Sequence, residues 1–293
     1  MSSQSKPVTF LESMRKLFTV LQQFRWGDLT QICLCISILS GVVVALQFEY
    51  STPFYSTVSL DLLVPFGGFF RSLHFYSSQL AFLLTCIHLL MSYSKTARYK
   101  QIEWAKLIFT LPALLLLLFT GYILRGDATG TSAGTIAEHI FALVPVVGHS
   151  INNLFFSISE SGLRRVYVNH VAGLDLLLLF LLWQHLRQFR LAVRPYLPHC
   201  LGLLIYSAFF NAPLDPFVAG EKYISGPWFF LGLQELLRYF SPIIAGFILP
   251  CAFLYLLFKL QPSEGTGQPK QILRLFWASI ILYCFLTFIA WFR

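Results

Sequence analysis

Long apolar runs broken by short polar stretches dominate the chain from residue 29 onward. A helix needs about 20 predominantly apolar residues to cross the roughly 30 Å hydrocarbon core of a bilayer. Runs at about 29–48, 69–93, 104–124, 166–189, 241–260 and 272–292 meet that length. A seventh, at 199–213, is short, and tilt, re-entry or its flanks must extend it if it crosses. Pro112 sits inside the third run, where a membrane helix tolerates the kink it predicts. A Gly-, Ser- and Thr-rich loop over 125–165 separates the third and fourth runs, and its moderately apolar piece, 135–148, reads as a short surface helix. Residues 10–25 interleave basic and apolar positions, as a helix lying on the membrane surface does. The pattern predicts an all-α polytopic membrane protein, a four-helix bundle followed by about three more transmembrane helices. It divides as an N-terminal cytoplasmic amphipathic segment, 1–28, a bundle, 29–190, and C-terminal helices, 191–293.

Composition agrees. Of 293 residues, 56% are hydrophobic and 12% charged, and the mean hydropathy is +0.67. The N-terminus has no short apolar core or small-residue cleavage site, so no processing is expected. The net charge of +8 is read as loop charge on one side of a membrane rather than as a nucleic-acid surface. With the N-terminus inside and all seven runs crossing, most of the 21 Lys and Arg residues fall on the inner side. The six cysteines form no C-x-x-C pair and no C-x-x-C-H, which excludes a covalent haem c and a cysteine-bound cluster of the chain's own.

Four histidines change the picture. His74 and His88 lie 14 residues apart in the second run, and His170 and His185 lie 15 apart in the fourth. At about 100° and 1.5 Å per residue, each second histidine returns near the face of the first, roughly 21–23 Å along the axis. Two such helices, taken as antiparallel neighbours, are expected to set His74 level with His170 and His88 level with His185. Paired imidazoles between apolar helices suit haem iron. His139 and His149 have no ligand-spaced companions and read as loop residues.

These features resemble the cytochrome b / cytochrome b6 family, the haem- and quinone-binding subunit of bc-type complexes, over roughly 20–292. The form is the bacterial one that fuses b6-like and subunit-IV-like parts. The 14 and 15 spacing is similar to the b6 branch. The resemblance implies two haem b, with His74 and His170 as ligands of an outer haem and His88 and His185 of an inner one. It implies Arg71 and Arg165 as partners of the outer haem's propionates, and Gly27, Gly41 and Gly121 as positions where a haem approaches the backbone. It also implies a menaquinone or ubiquinone substrate. The expected partners are a Rieske iron–sulfur protein or c-type cytochrome subunits, in a homodimeric complex of a bacterial cytoplasmic membrane, with no nucleic acid. Pro145–Gly148, Arg194–Tyr196 and Pro227–Leu231 match further family segments.

The departures are specific. Leu107 stands where the family has a fourth glycine, and Met91 where mitochondrial-type members carry an arginine, with Lys95 and Arg187 as candidate substitutes. Arg125-Gly126-Asp127 replaces the family's P-W-G, and Pro227 replaces the quinol-site glutamate. Arg25 stands where the b6 branch has the cysteine of an extra haem. An outer quinone site is expected between Gly121–Asp127 and Pro227–Glu235, with Tyr122, Trp228 and Phe229 packing the ring and Glu235 or Asp127 accepting protons. An alternative puts the aromatics in an interfacial belt and Glu235 on a solvated face. An inner site is expected near Asp28 and His199. Rival readings are the dihaem quinone anchor of formate dehydrogenases and hydrogenases, a transporter, and a Rieske-free complex that exchanges electrons with multihaem cytochromes or another redox enzyme. Asp175 is the one acid inside a predicted span that none of these readings uses.

Overall fold

The computed structural model describes residues 24–220, 224–262 and 270–292. Most of the amphipathic segment expected at 10–25 lies outside the described residues. Eleven helices and no strand are found among the described residues. Five helices there are long and apolar enough to cross a membrane: α1 (Trp26–Ala45), α3 (Gly67–Ser92), α4 (Gln101–Arg125), α7 (Glu160–Gln188) and α11 (Lys270–Trp291). Between them lie α2 (Pro53–Leu62), α5 (Ala128–Ala142), α6 (Gly148–Phe155), α8 (Leu197–Phe209) and α9 (Leu231–Leu236), with the shorter apolar α10 at Ile244–Lys259.

Local chemistry sets the helix ends. The Glu103 carboxylate accepts from the Lys100 N–H at 3.2 Å and starts α4. Gly126 ends α4 at φ 65°, and a Cβ there would stand 2.6 Å from the Phe54 nitrogen, so only glycine fits. The helix is continuous through Pro112. Asp127 caps α5 by accepting from Gly130 N at 2.8 Å. The 125–165 segment is therefore mostly helical rather than a loop with one helix. Its small residues explain this, since Gly130, Ala133, Gly134 and Ala137 form the buried face of α5 and let that helix lie close against α4. A Cβ at Gly130 would strike the Tyr122 carbonyl oxygen.

α1 packs on α3, and α4 packs on α7. The histidine helices run in the same direction, which corrects the antiparallel expectation: parallel α3 and α7 are required to pair His74 with His170 and His88 with His185. α4 is the shared wall of the molecule. More than half of its apolar stretch is buried (56%), against 17% for α3 and α7. On its far side Trp104 and Ile108 form a core with Leu257, Leu260 and Phe276 from the C-terminal helices, and the Trp104 indole donates to the Phe258 carbonyl at 3.0 Å. The predicted run 199–213 is α8, 13 residues, or about 20 Å at 1.5 Å per residue. It packs on α3. Beyond it, Ala212 N donates to Ser72 Oγ at 2.9 Å and Ala128 N to the Asp215 carbonyl at 2.9 Å, so residues 212–215 are strapped across the N-terminal ends of α3 and α5.

Candidate functional site

His74 and His170 face each other with ring centroids 6.1 Å apart and planes at 88°. His88 and His185 do the same at 6.1 Å and 60°. A metal bonded at about 2 Å to one nitrogen of each ring, with each centroid about 1.2 Å beyond, would put centroids roughly 6 Å apart, so both pairs match a metal held between two imidazoles. Among the described residues, no group of three or more His, Cys, Asp or Glu side chains converges on a metal site. Two protein nitrogens alone leave most of an iron's coordination open, which a porphyrin's four nitrogens would complete.

The register of the pairs has a local cause. Fifteen residues in a regular α-helix would turn the second histidine about 100° past its place after fourteen. α7 contains one π turn, Asn169–Gly173, around His170 itself. A π turn closes i→i+5 bonds and so absorbs an extra residue. The interval of 15 in α7 thereby counts as 14 in α3.

The partners of the ring nitrogens decide which nitrogen is offered. His74 Nδ1 lies 2.8 Å from the Ser37 carbonyl, which can only accept, so Nδ1 carries the proton and Nε2 carries the lone pair. Thr120 donates its hydroxyl to the Leu116 carbonyl at 2.7 Å. It is therefore the acceptor for His170 Nδ1 at 2.9 Å, and Nε2 is again the lone-pair nitrogen. In the other pair the Nδ1 contacts are longer, 3.5 Å from His88 to Ser92 Oγ and 3.3 Å from His185 to the Tyr99 hydroxyl.

Three glycines stand against these rings. A Cβ at Gly41 would meet His74 at 2.8 Å, at Gly27 would meet His88 at 3.1 Å, and at Gly121 would meet His170 at 3.2 Å. Beside His185 stands Leu107 instead. A cavity of about 160 Å³ opens between the two helix pairs at His74 and His170, and Arg71, Tyr122, Arg125 and Asp175 line it. Arg71 forks onto Asp61 at 2.6 Å through both Nε and Nη2. Arg165 is placed elsewhere: it is exposed and donates to the Asn153 carbonyl at 2.6 Å. At the other pair the nearby cation is Arg98, which donates to the Tyr99 hydroxyl at 3.0 Å and sits over the Phe189 ring. Lys95 and Arg187, the expected substitutes, are exposed.

Of the residues expected at an outer quinone site, Tyr122, Trp228 and Phe229 meet. The Trp228 indole donates to Gln79 Oε1 at 2.7 Å, and Gln79 lines the cavity. Phe229 is buried, with ring contacts to Phe82 and Tyr122. That packing excludes an interfacial belt for Phe229. Pro227 opens the turn that carries these rings, its carbonyl accepting from Phe230 N at 2.7 Å. Glu235 is buried at 2% exposure, which excludes a solvated face. The Tyr239 hydroxyl donates to its carboxylate at 3.0 Å, and this bond pushes the Tyr239 pKa above its ordinary value. Asp127 is buried as well, but its oxygens are taken by Arg125, Gly130 N and Asp215 N. At the opposite end, Asp28 is buried beside Arg25 at 2.9 Å. His199 is exposed and lies against the Tyr196 ring, whose hydroxyl donates to the Arg25 carbonyl at 3.1 Å. Asp28 and His199 are thus gathered around Tyr196. Reading the sequence missed Ser37, Thr120, Tyr99, Arg98 and Arg125. A hydroxyl residue directly before Gly121 and another one turn before Gly41 were the available signals for Thr120 and Ser37.

Residues 13–192 match the family model described as cytochrome b/b6/petB. The chain is 31% identical over 170 residues to cytochrome b6 of Heliomicrobium gestii, covering 55% of this chain and 79% of that protein. It is 24% identical over 288 residues to cytochrome b of Plasmodium falciparum, covering 87% of this chain and 76% of that protein. A chain of a solved hyperthermophilic respiratory complex III superposes with a TM-score of 0.70 at 19% identity, over 90% of this chain and 82% of that one, and so shares the fold. The histidine-paired bundle and the matched family model together establish that this chain belongs to the cytochrome b/b6 family, which binds haem b and interacts with quinone.

Proposed function

We propose that the chain is the cytochrome b subunit of a bc-type, quinol:cytochrome c oxidoreductase-like complex and holds two b haems. His74 and His170 hold the outer one, and His88 and His185 the inner one. The observation that carries this reading is the pair of facing imidazoles repeated at the same 6.1 Å separation in one bundle. When bound, the haems supply one-electron redox chemistry near both membrane surfaces. The chain's own residues orient the ligands, with Ser37 and Thr120 holding the proton on Nδ1 of the outer histidines and so directing Nε2 to the iron.

At the outer quinone site, Tyr122, Trp228 and Phe229 bind the ring. Glu235 accepts a proton from a quinol hydroxyl, and Tyr239 at 3.0 Å and the longer Arg238 contact at 3.5 Å hold its carboxylate in place. Asp127 serves structure rather than proton transfer, because its oxygens are already engaged by an arginine and two backbone N–H groups. Asp28 and His199 serve the inner site. The N-terminus is cytoplasmic, the membrane is a bacterial inner membrane, and residues 29–190 and 191–293 act as b6-like and subunit-IV-like parts of a homodimer. A Rieske protein or c-type cytochromes take the electrons. Pro227 in place of the family glutamate favours the second reading, a Rieske-free complex.

Substitution separates the two acids. Glu235→Gln lowers quinol-oxidation turnover by about 10²–10⁴-fold, the usual contribution of a positioned general base, with haem spectra unchanged. Asp127→Asn leaves Arg125 short of a buried carboxylate and costs on the order of 3 kcal/mol of stability, read as a lower Tm. Full turnover in Glu235→Gln sinks its assignment. Subunit identification of the purified complex, with or without a Rieske cluster, decides the electron acceptor.

A further inference from the structure

The pocket at His74 and His170 has two arginines in its wall, and only one of them belongs to the set the family resemblance implied. Arg125 follows the Gly121-Tyr-Ile-Leu124 segment, where the family has proline. It is 8% exposed, lines the cavity with Arg71, and lies 4.6 Å above the Tyr122 ring. Its Nε donates to Asp127 Oδ2 at 2.9 Å and its Nη2 to Asp215 Oδ2 at 2.9 Å. The Arg125 carbonyl accepts from the Thr57 hydroxyl at 3.2 Å, and Thr57 lines the same cavity. Arg71 is arranged the same way, its Nε and Nη2 spent on Asp61 and the Ala212 carbonyl. In both side chains the hydrogen bonds to the carboxylates and to the Ala212 carbonyl run through Nε and Nη2, and both residues border the cavity. A guanidinium has five donors in a rigid fork. Each arginine is thus fixed on one edge by protein acceptors and offers its other edge to a ligand. Arg165, by contrast, is exposed and bonded to a backbone carbonyl of the 148–155 helix.

We propose that Arg125, not Arg165, is the second carboxylate anchor of the His74–His170 pocket. It holds one propionate of the haem through Nη1 while Asp127 and Asp215 hold the guanidinium in place. The inference rests on the functional reading above, since it presupposes a haem in this pocket. It explains why Arg125-Gly126-Asp127 stands together in the sequence: the arginine faces the pocket, the glycine makes the left-handed turn, and the aspartate braces the arginine while capping α5.

The test is an equilibrium redox titration of the purified full complex, with haem extraction, for Arg125→Gln and Arg165→Gln. A cation beside a propionate favours the reduced haem. Arg125→Gln is expected to shift the ferrous-to-ferric ratio of one haem at least tenfold toward ferric, 59 mV for one electron, or to lose that haem, leaving the other unchanged. Arg165→Gln is expected to leave both haems as they were. An unshifted potential in a two-haem Arg125→Gln complex, or the shift appearing in Arg165→Gln instead, overturns the proposal. Should Arg125→Gln fail to assemble, resonance Raman of the propionate modes in Arg125→Lys and Arg165→Lys decides it. A change confined to Arg125→Lys is expected, and no change there or a change in Arg165→Lys overturns it. A wild-type complex without a haem that His74→Ala removes defeats the functional reading itself, which is a separate result from a haem present but indifferent to Arg125.

Discussion

The two histidine pairs are built on one plan and finished differently. At His74 and His170, both rings face a glycine, Gly41 and Gly121, and both Nδ1 atoms have acceptors at 2.8–2.9 Å. At His88 and His185, only the first ring faces a glycine, Gly27, and Leu107 stands beside the second. The Nδ1 contacts there are 3.3–3.5 Å. Two buried arginines line the first pocket, while an exposed Arg98 serves the second. The difference teaches which parts of such a site are shared and which are local. Helix register places the rings, and it places both pairs alike. Orientation and charge come from individual neighbours, and those are complete only in the first pocket.

The largest expected effects test the plan that the pockets share. His74→Ala or His170→Ala removes one haem, and His88→Ala or His185→Ala removes the other, read as haem per chain and as loss of one spectral component. Loss of the same component from all four variants would break the comparison.

The next test concerns room. Gly41→Ala brings a methyl group to 2.8 Å from the His74 ring, closer than van der Waals contact permits, whereas Gly27→Ala reaches 3.1 Å from His88. Haem occupancy of the first pocket should fall more in Gly41→Ala than that of the second falls in Gly27→Ala. Equal losses would show that the two glycines bear the same load.

The smallest effects test orientation. Thr120→Val removes the acceptor of His170 Nδ1 and is expected to weaken haem retention about 10–100-fold, as outer-shell changes commonly do. Tyr99→Phe removes a 3.3 Å contact to His185 and should weaken it less, measured by haem loss to a competing apoprotein. A larger loss in Tyr99→Phe would invert the account of the two pockets.

Much of this architecture was legible because it rests on repeating patterns. Apolar runs marked the long crossing helices, and the spacing of His74, His88, His170 and His185 marked the positions that the fold brings together. What escaped depended on three-dimensional choices. One miss was not of that kind: a single crossing run, 104–124, separates α3 from α7 and makes them parallel, and the antiparallel expectation overlooked it. The helical nature of α5 was hidden because Gly130 and Gly134 read as loop residues, although here they allow close packing on α4. Arg165 sits at the family's spacing before His170, but the backbone carries it to the surface. Arg125 sits three residues past a buried tyrosine, and the left-handed turn at Gly126 lets Asp127 fold back on it. Spacing along a chain carries no record of such a turn except the glycine itself.

The central claim is that each histidine pair holds one b haem. Reduced-minus-oxidised spectroscopy of the purified complex, with extraction and quantification of haem, tests it most directly. Two b haems per chain are predicted, and one or none would contradict the account.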